Sequence, residues 1–165
     1  MYVNIILGTL ALLIAIFLTI GFFQERVEKK HYISFMEGLN LTGLPIVTLT
    51  NNGHKLNFVL DTGSANSLIN KDELGRVAFE NTDYVSSISG IDNKVRKEEV
   101  VVKMSLVYKD KITEGLFVVT DLNDVFASIR SETGVQLHGL LGSNFFAENK
   151  YVIDYNEMVA YSKRI

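Results

Sequence analysis

The chain has 165 residues, 47% of them apolar, with no cysteine and a formal net charge of −3. A length of this order accommodates one domain, and the lack of cysteine excludes disulfides and thiol chemistry. Acidic residues outnumber basic ones, 19 to 16, and the two are interspersed, which argues against a nucleic-acid-binding protein.

Residues 5–23 form a run of 19 without a charge. At about 1.5 Å per residue, a helix of that length crosses a hydrocarbon layer of roughly 30 Å. A cleaved signal peptide is the competing reading. The run has no basic leader, exceeds the roughly 7–15 residues of a signal core, and meets no Ala-x-Ala site before Gln24. An uncleaved anchor over residues 1–23, touching lipid through residues 5–23, is therefore expected. Arg26, Lys29 and Lys30 follow the run and nothing basic precedes it. The positive-inside bias then makes this a single-pass membrane protein whose C-terminal part faces the cytoplasm. Residues 24–38 read as a charged stalk or linker, or an early strand, and residues 39–165 as the folded domain.

From Leu44 the pattern turns to β. Residues 45–50 alternate, Asn52-Gly53 signals a tight hairpin, and residues 55–60 return. Asp61-Thr62-Gly63-Ser64 ends that strand, and residues 67–70 form a short strand leading into a polar turn at Lys71-Asp72-Glu73. Residues 84–89 and 95–102 make a second hairpin, and residues 104–108 and 112–120 a third. Leu122, Val125, Phe126 and Ile129 share a face at helical spacing. Ser131-Glu132-Thr133-Gly134 reads as a loop, and residues 143–148 as one helical turn. Residues 151–154 and 158–161 close the pattern as a last hairpin. Many short strands, tight turns and little helix indicate a mostly-β barrel or sandwich with one or two short helices.

His31, His54 and His138 lack metal-ligand spacing, and no glycine-rich phosphate loop precedes a helix. No metal and no cofactor are expected, and His138 reads as a local hydrogen-bonding residue.

Asp61-Thr62-Gly63 alone is a common turn tripeptide. Its surroundings are more specific. An apolar strand runs into it and a short apolar strand follows. The string His138-Gly139-Leu140-Leu141-Gly142-Ser143-Asn144-Phe145-Phe146 comes later, and then the closing hairpin. In this order the set resembles the retropepsin-like aspartic peptidases over residues 44–162. The resemblance implies an acid-protease β-barrel domain with Asp61 as the catalytic carboxylate. Peptide hydrolysis without a metal or a covalent nucleophile needs an activated water and a proton donor. Two carboxylates about 3 Å apart share one proton and supply both. The chain holds one such motif, so the second Asp61 is implied to come from a second copy in a homodimer.

By the same resemblance Thr62 fixes the loop from behind, Gly63 admits the backbones of substrate and partner, and the Ser64 hydroxyl bonds a catalytic carboxylate. Leu140, Leu141 and Gly142 support the loop. Ser89, Gly90 and Ile91, at the tip of the second hairpin, close over an extended peptide. Asp92, Lys94, Arg96, Lys97, Glu98 and Glu99 near that tip depart from the glycine-rich flap of retroviral enzymes. The implied function is a membrane-anchored aspartic endopeptidase. The alternative is a catalytically silent module of the same fold that binds extended peptides or serves dimerisation at the membrane.

Overall fold

Residues 31–89 and 95–162 are described by the computed structural model. The expected anchor at 1–23 and the hairpin tip at 90–94 lie outside the described residues. Among the described residues no helix is long and apolar enough to cross a membrane. In chain order the elements are β1 (His31–Ser34), α1 (Met36–Thr42), β2 (Ile46–Asn51), β3 (His54–Leu60), β4 (Ser67–Asn70) and a 3-10 turn (Lys71–Glu73). There follow β5 (Glu80–Ser89), β6 (Val95–Tyr108), β7 (Lys111–Thr120), α2 (Asn123–Thr133), β8 (Gly139–Leu141), α3 (Ser143–Glu148), β9 (Tyr151–Asp154) and β10 (Val159–Ser162).

Six strands close a barrel in the order β2-β3-β8-β4-β7-β6, with Thr50 of β2 meeting Val107 of β6, and β5 hangs outside on β6. The β2–β3 hairpin follows from its turn. Asn52 and Gly53 have φ of 48° and 78°, the paired left-handed conformation that matches the twist of the flanking strands. Alternation then sends Leu49, Leu56, Phe58, Ile69, Met104, Leu106, Phe117 and Leu141 into the interior. Phe58 and Phe117 meet there with ring centroids 5.8 Å apart, and burying each such side chain contributes about 2 kcal/mol. A smaller core of Ile46, Phe126 and Leu137 lies against α2, with Val59, Leu122 and Ile129 around it. Val125, grouped with that face by spacing, instead points outward at 57% exposure.

Four expectations need correction. The stalk expected over 24–38 gives way at His31 to folded structure, since β1 pairs antiparallel with β10, Ile33 opposite Ala160. Ile33 and Phe35 are both buried, so the early-strand alternative is the one seen. Helices number three among the described residues rather than one or two. The strands expected at 95–102 and 104–108 are one 14-residue strand; Lys103 is its outward member between the buried Val102 and Met104. Ser131-Glu132-Thr133-Gly134 is no loop but the last turn of α2. There Gly134, at φ 76°, donates its N–H to the Arg130 carbonyl, a closure that suits glycine.

His138 stitches the entry of β8 to β3. Its Nδ1 accepts the Asn57 N–H at 2.8 Å, and its own N–H donates to the Asn57 carbonyl at 2.9 Å. Burial holds its pKa below the ordinary 6.5, with the Arg76 charge acting in the same sense and the Glu73 charge opposing. A proton on Nδ1 would also displace the Asn57 N–H. A depressed folded pKa means stability that is present above pH 6.5 and lost as pH falls through the folded value. The urea midpoint of the wild type should therefore drop more between pH 7 and pH 5 than that of His138→Asn. Parallel slopes in the two proteins would show that His138 carries none of it.

Candidate active site

β3 delivers Asp61 to the barrel rim. Leu60 is buried, and the next N–H, that of Asp61, donates to the Leu141 carbonyl at 2.9 Å. β8 lies between the two strands that flank the motif. It is parallel to β3, with Val59 opposite Leu140 and Leu60 opposite Leu141, and antiparallel to β4, with Leu68 opposite Leu140. The structure thus brings Asp61, Leu140, Leu141 and Gly142 together. The turn itself is closed by the Ser64 N–H to the Asp61 carbonyl at 3.2 Å. The Gly63 N–H donates to Asp61 Oδ1 at 2.9 Å, which fixes the direction of the side chain.

Asp61 is half-buried, whereas Thr62 and Gly63 are exposed. The Thr62 carbonyl accepts the Ser143 hydroxyl at 2.8 Å, so the backing group behind the turn is Ser143. Ser64 departs from its expected role: its hydroxyl donates to the Asn66 carbonyl at 2.7 Å. The single hydroxyl proton is spent inside the loop and does not reach the Asp61 carboxylate.

Two positioning residues, Ser67 and Asn144, escaped the sequence reading. Asn144 Oδ1 accepts both the Ser67 N–H and the Ser67 hydroxyl, each at 2.8 Å. Ser67 Oγ in turn accepts the Gly142 N–H at 2.9 Å, and Asn144 Nδ2 donates to the Leu116 carbonyl at 3.1 Å. The Ser143 and Asn144 N–H groups donate to the carbonyls of Ser64 and Ala65 at 2.8 and 3.2 Å. α3 therefore grips the loop along its whole rear. The available signal was Ser67 opening a short strand whose centre is Leu68 and Ile69, because a buried hydroxyl needs a partner.

Cross-strand partners share a face of a sheet. One such row runs Val59, Leu140, Leu68, Val118, Val101 across five strands. Asp61 follows Val59 by two residues and so lies on the same side by alternation. Val59, Leu140 and Leu68 stay partly exposed while Val118 and Val101 are buried. The carboxylate stands at one end of this apolar strip. The hairpin expected to cover it is present as β5 and β6, antiparallel from Glu80 opposite Lys103 to Ser89 opposite Val95. Gly90 and Ile91 lie outside the described residues. Among the described residues no cluster of His, Asp or Glu could hold a metal ion.

A family model described as aspartyl protease matches residues 47–145. Among solved structures, the EIAV protease complexed with the inhibitor HBY-793 is similar at 20% identity and TM-score 0.46, covering 66% of this chain and 90% of its own. A retropepsin-like aspartic protease from Rickettsia conorii aligns at 15% identity and TM-score 0.44, covering 81% of this chain and 90% of its own. The retroviral protease-like domain of Ddi1 from Leishmania major aligns at 14% and 0.44, covering 73% and 93%. No curated protein matches. The family match runs from β2 into α3 and takes in both the Asp61 turn and the Leu140-Leu141-Gly142 string, more than half of the chain, which belongs to the aspartyl protease family.

Proposed function

We propose that the protein is an aspartic endopeptidase that works as a homodimer, with one Asp61 from each copy. The observation that carries this is the state of the catalytic turn. It is held from behind by Leu141, Ser143 and Asn144, yet Thr62 and Gly63 are exposed in front. A lone carboxylate either takes a proton or gives one, whereas hydrolysis of an amide needs both at once. A second Asp61 across a two-fold axis supplies the missing half and covers the exposed front. The pair shares one proton. The ionised partner takes a proton from water as its oxygen attacks the peptide carbonyl, and the protonated partner supplies the leaving nitrogen. The substrate is an extended polypeptide lying over the Val59–Leu140–Leu68 strip beneath the β5–β6 hairpin.

Residues 5–23 tether the enzyme to a membrane in this reading, supported by 19 uncharged residues. Confinement in a bilayer raises the effective concentration of copies and favours pairing. Arg26, Lys29 and Lys30 beyond the run support a domain facing the cytoplasm, and the substrates are then proteins at that surface.

The test uses the full chain in liposomes at graded densities with a diverse peptide pool from about pH 4 to 7.5, the range in which carboxylate dyads work. Cleavage per chain should rise with density, and added Asp61→Asn chains should suppress it by forming mixed pairs. A rate per chain independent of density would sink the dimer. No cleavage at any density would make the fold a silent peptide-binding module.

A further inference from the structure

Glu99, midway along the β5–β6 hairpin, carries a carboxylate oxygen without a hydrogen-bond partner. Its Oε1 accepts the Thr120 hydroxyl at 2.6 Å. Its Oε2 is buried without a hydrogen-bond partner, and none of the ion pairs among the described residues includes Glu99. Thr120 does not explain the charge, since a glutamine oxygen would accept that hydroxyl equally well. A dry, unpaired carboxylate oxygen is costly and calls for an explanation.

Its position supplies one. Glu99 precedes Val101 by two residues on β6, and Thr120 follows Val118 by two on β7, so both lie on the face of the apolar strip. The strip begins beside Asp61 and ends beside Glu99. Directly opposite Glu99 on β5 is Ser86, which Asn66 reaches from the segment just past the catalytic turn. That contact is 3.5 Å long, at the limit for a hydrogen bond. It is the longest contact in the cluster.

We propose that Glu99 is a specificity-determining residue that receives a lysine or arginine side chain of the bound peptide. This rests on the peptidase reading above. An extended peptide presents alternate side chains to one face, and a peptide centred on Asp61 lays one of them along the strip. The aliphatic stem of Lys or Arg lies on the partly exposed Leu68, parts the long Asn66–Ser86 contact, and the cationic head provides the partner that Oε2 lacks. A charge-assisted hydrogen bond shielded from water is among the stronger ones available.

The test compares peptides in which lysine is exchanged for norleucine at one position at a time, on the full-length chain. Cleavage is measured for the wild type and Glu99→Gln, and binding for the same pair in an Asp61→Asn background. Lysine should be preferred over norleucine at one fixed position by about tenfold or more. Glu99→Gln should bring that ratio close to one while handling norleucine peptides as the wild type does, which also shows that the variant is folded. Should Glu99→Gln not fold, Glu99→Asp retracts the carboxylate by one methylene and should move the preference from lysine to the longer arginine. A ratio unchanged in these variants, or no position favouring lysine, overturns the proposal. Cleavage without Glu99 dependence removes this inference and leaves the peptidase. Glu99-dependent binding without cleavage removes the peptidase and leaves the cation site.

Discussion

Asp61→Asn should lower peptide hydrolysis by at least about 10³-fold, the scale of removing an essential general acid–base pair, and leave the fold intact. The two halves of that expectation have separate causes. Asparagine offers Oδ1 to the Gly63 N–H just as aspartate does at 2.9 Å, and no cation among the described residues is paired with Asp61 to be stranded by the change. The melting temperature should thus move by no more than a degree or two, as for other substitutions that break no named interaction. The chemistry has no such substitute, because an amide neither accepts water's proton nor shares one with the opposite carboxylate. Turnover of the best peptide from the pool, read beside circular dichroism, checks both halves. A folded variant that retains a tenth of the rate would take Asp61 out of the mechanism.

Gly142→Ala should cause a large loss of stability. The backbone of Gly142 is ordinary, at φ −87°, so glycine is not needed there for its conformational range. Space is the reason. A Cβ would lie 2.4 Å from both the carbonyl carbon and oxygen of Asn66 and 2.8 Å from the Ser67 nitrogen, backbone atoms with no side-chain freedom. Relief requires the loop between Asp61 and β4 to move away from α3, which breaks the Gly142–Ser67 and Ser67–Asn144 bonds. Overpacking of this kind, combined with a broken buried network, costs about 3 kcal/mol. For a domain of this size that is a fall of about 10 °C in melting temperature, with activity lost alongside because the displaced segment carries the carboxylate. Gly75→Ala, where an added Cβ meets nothing within 4 Å, is the matched control and should be neutral. Equal melting temperatures for the two variants would refute the packing account.

The features legible in the sequence are those whose cause is local. Asn52-Gly53 specifies its hairpin through the backbone angles those two residues accept. The alternation of residues 45–60 separates interior from exterior, and Asp61-Thr62-Gly63 marks the turn. Features defined by distant partners were not legible. β1 is four residues whose meaning comes from β10 at the other end of the domain. Ser67 and Asn144 are 77 residues apart, and neither residue type announces the other. The Ser64 hydroxyl donates to the Asn66 carbonyl, and the identity of a serine does not announce which acceptor it takes. Glu99 resembled any other charge on a solvated hairpin until its neighbours were known.

The pairing of β1 with β10, and of β3 with β8, also sets an order of events during synthesis. Among the described elements β1 leaves the ribosome first, and it waits for β10 to be made. The carboxylate turn likewise waits for Leu141, Ser143 and Asn144 before it acquires its backing. Contacts this distant along the chain form late and slowly. The nascent polypeptide therefore carries Asp61 unmounted until residues 141–144 have been made, and the turn that the proposed peptidase would use cannot take its shape before then.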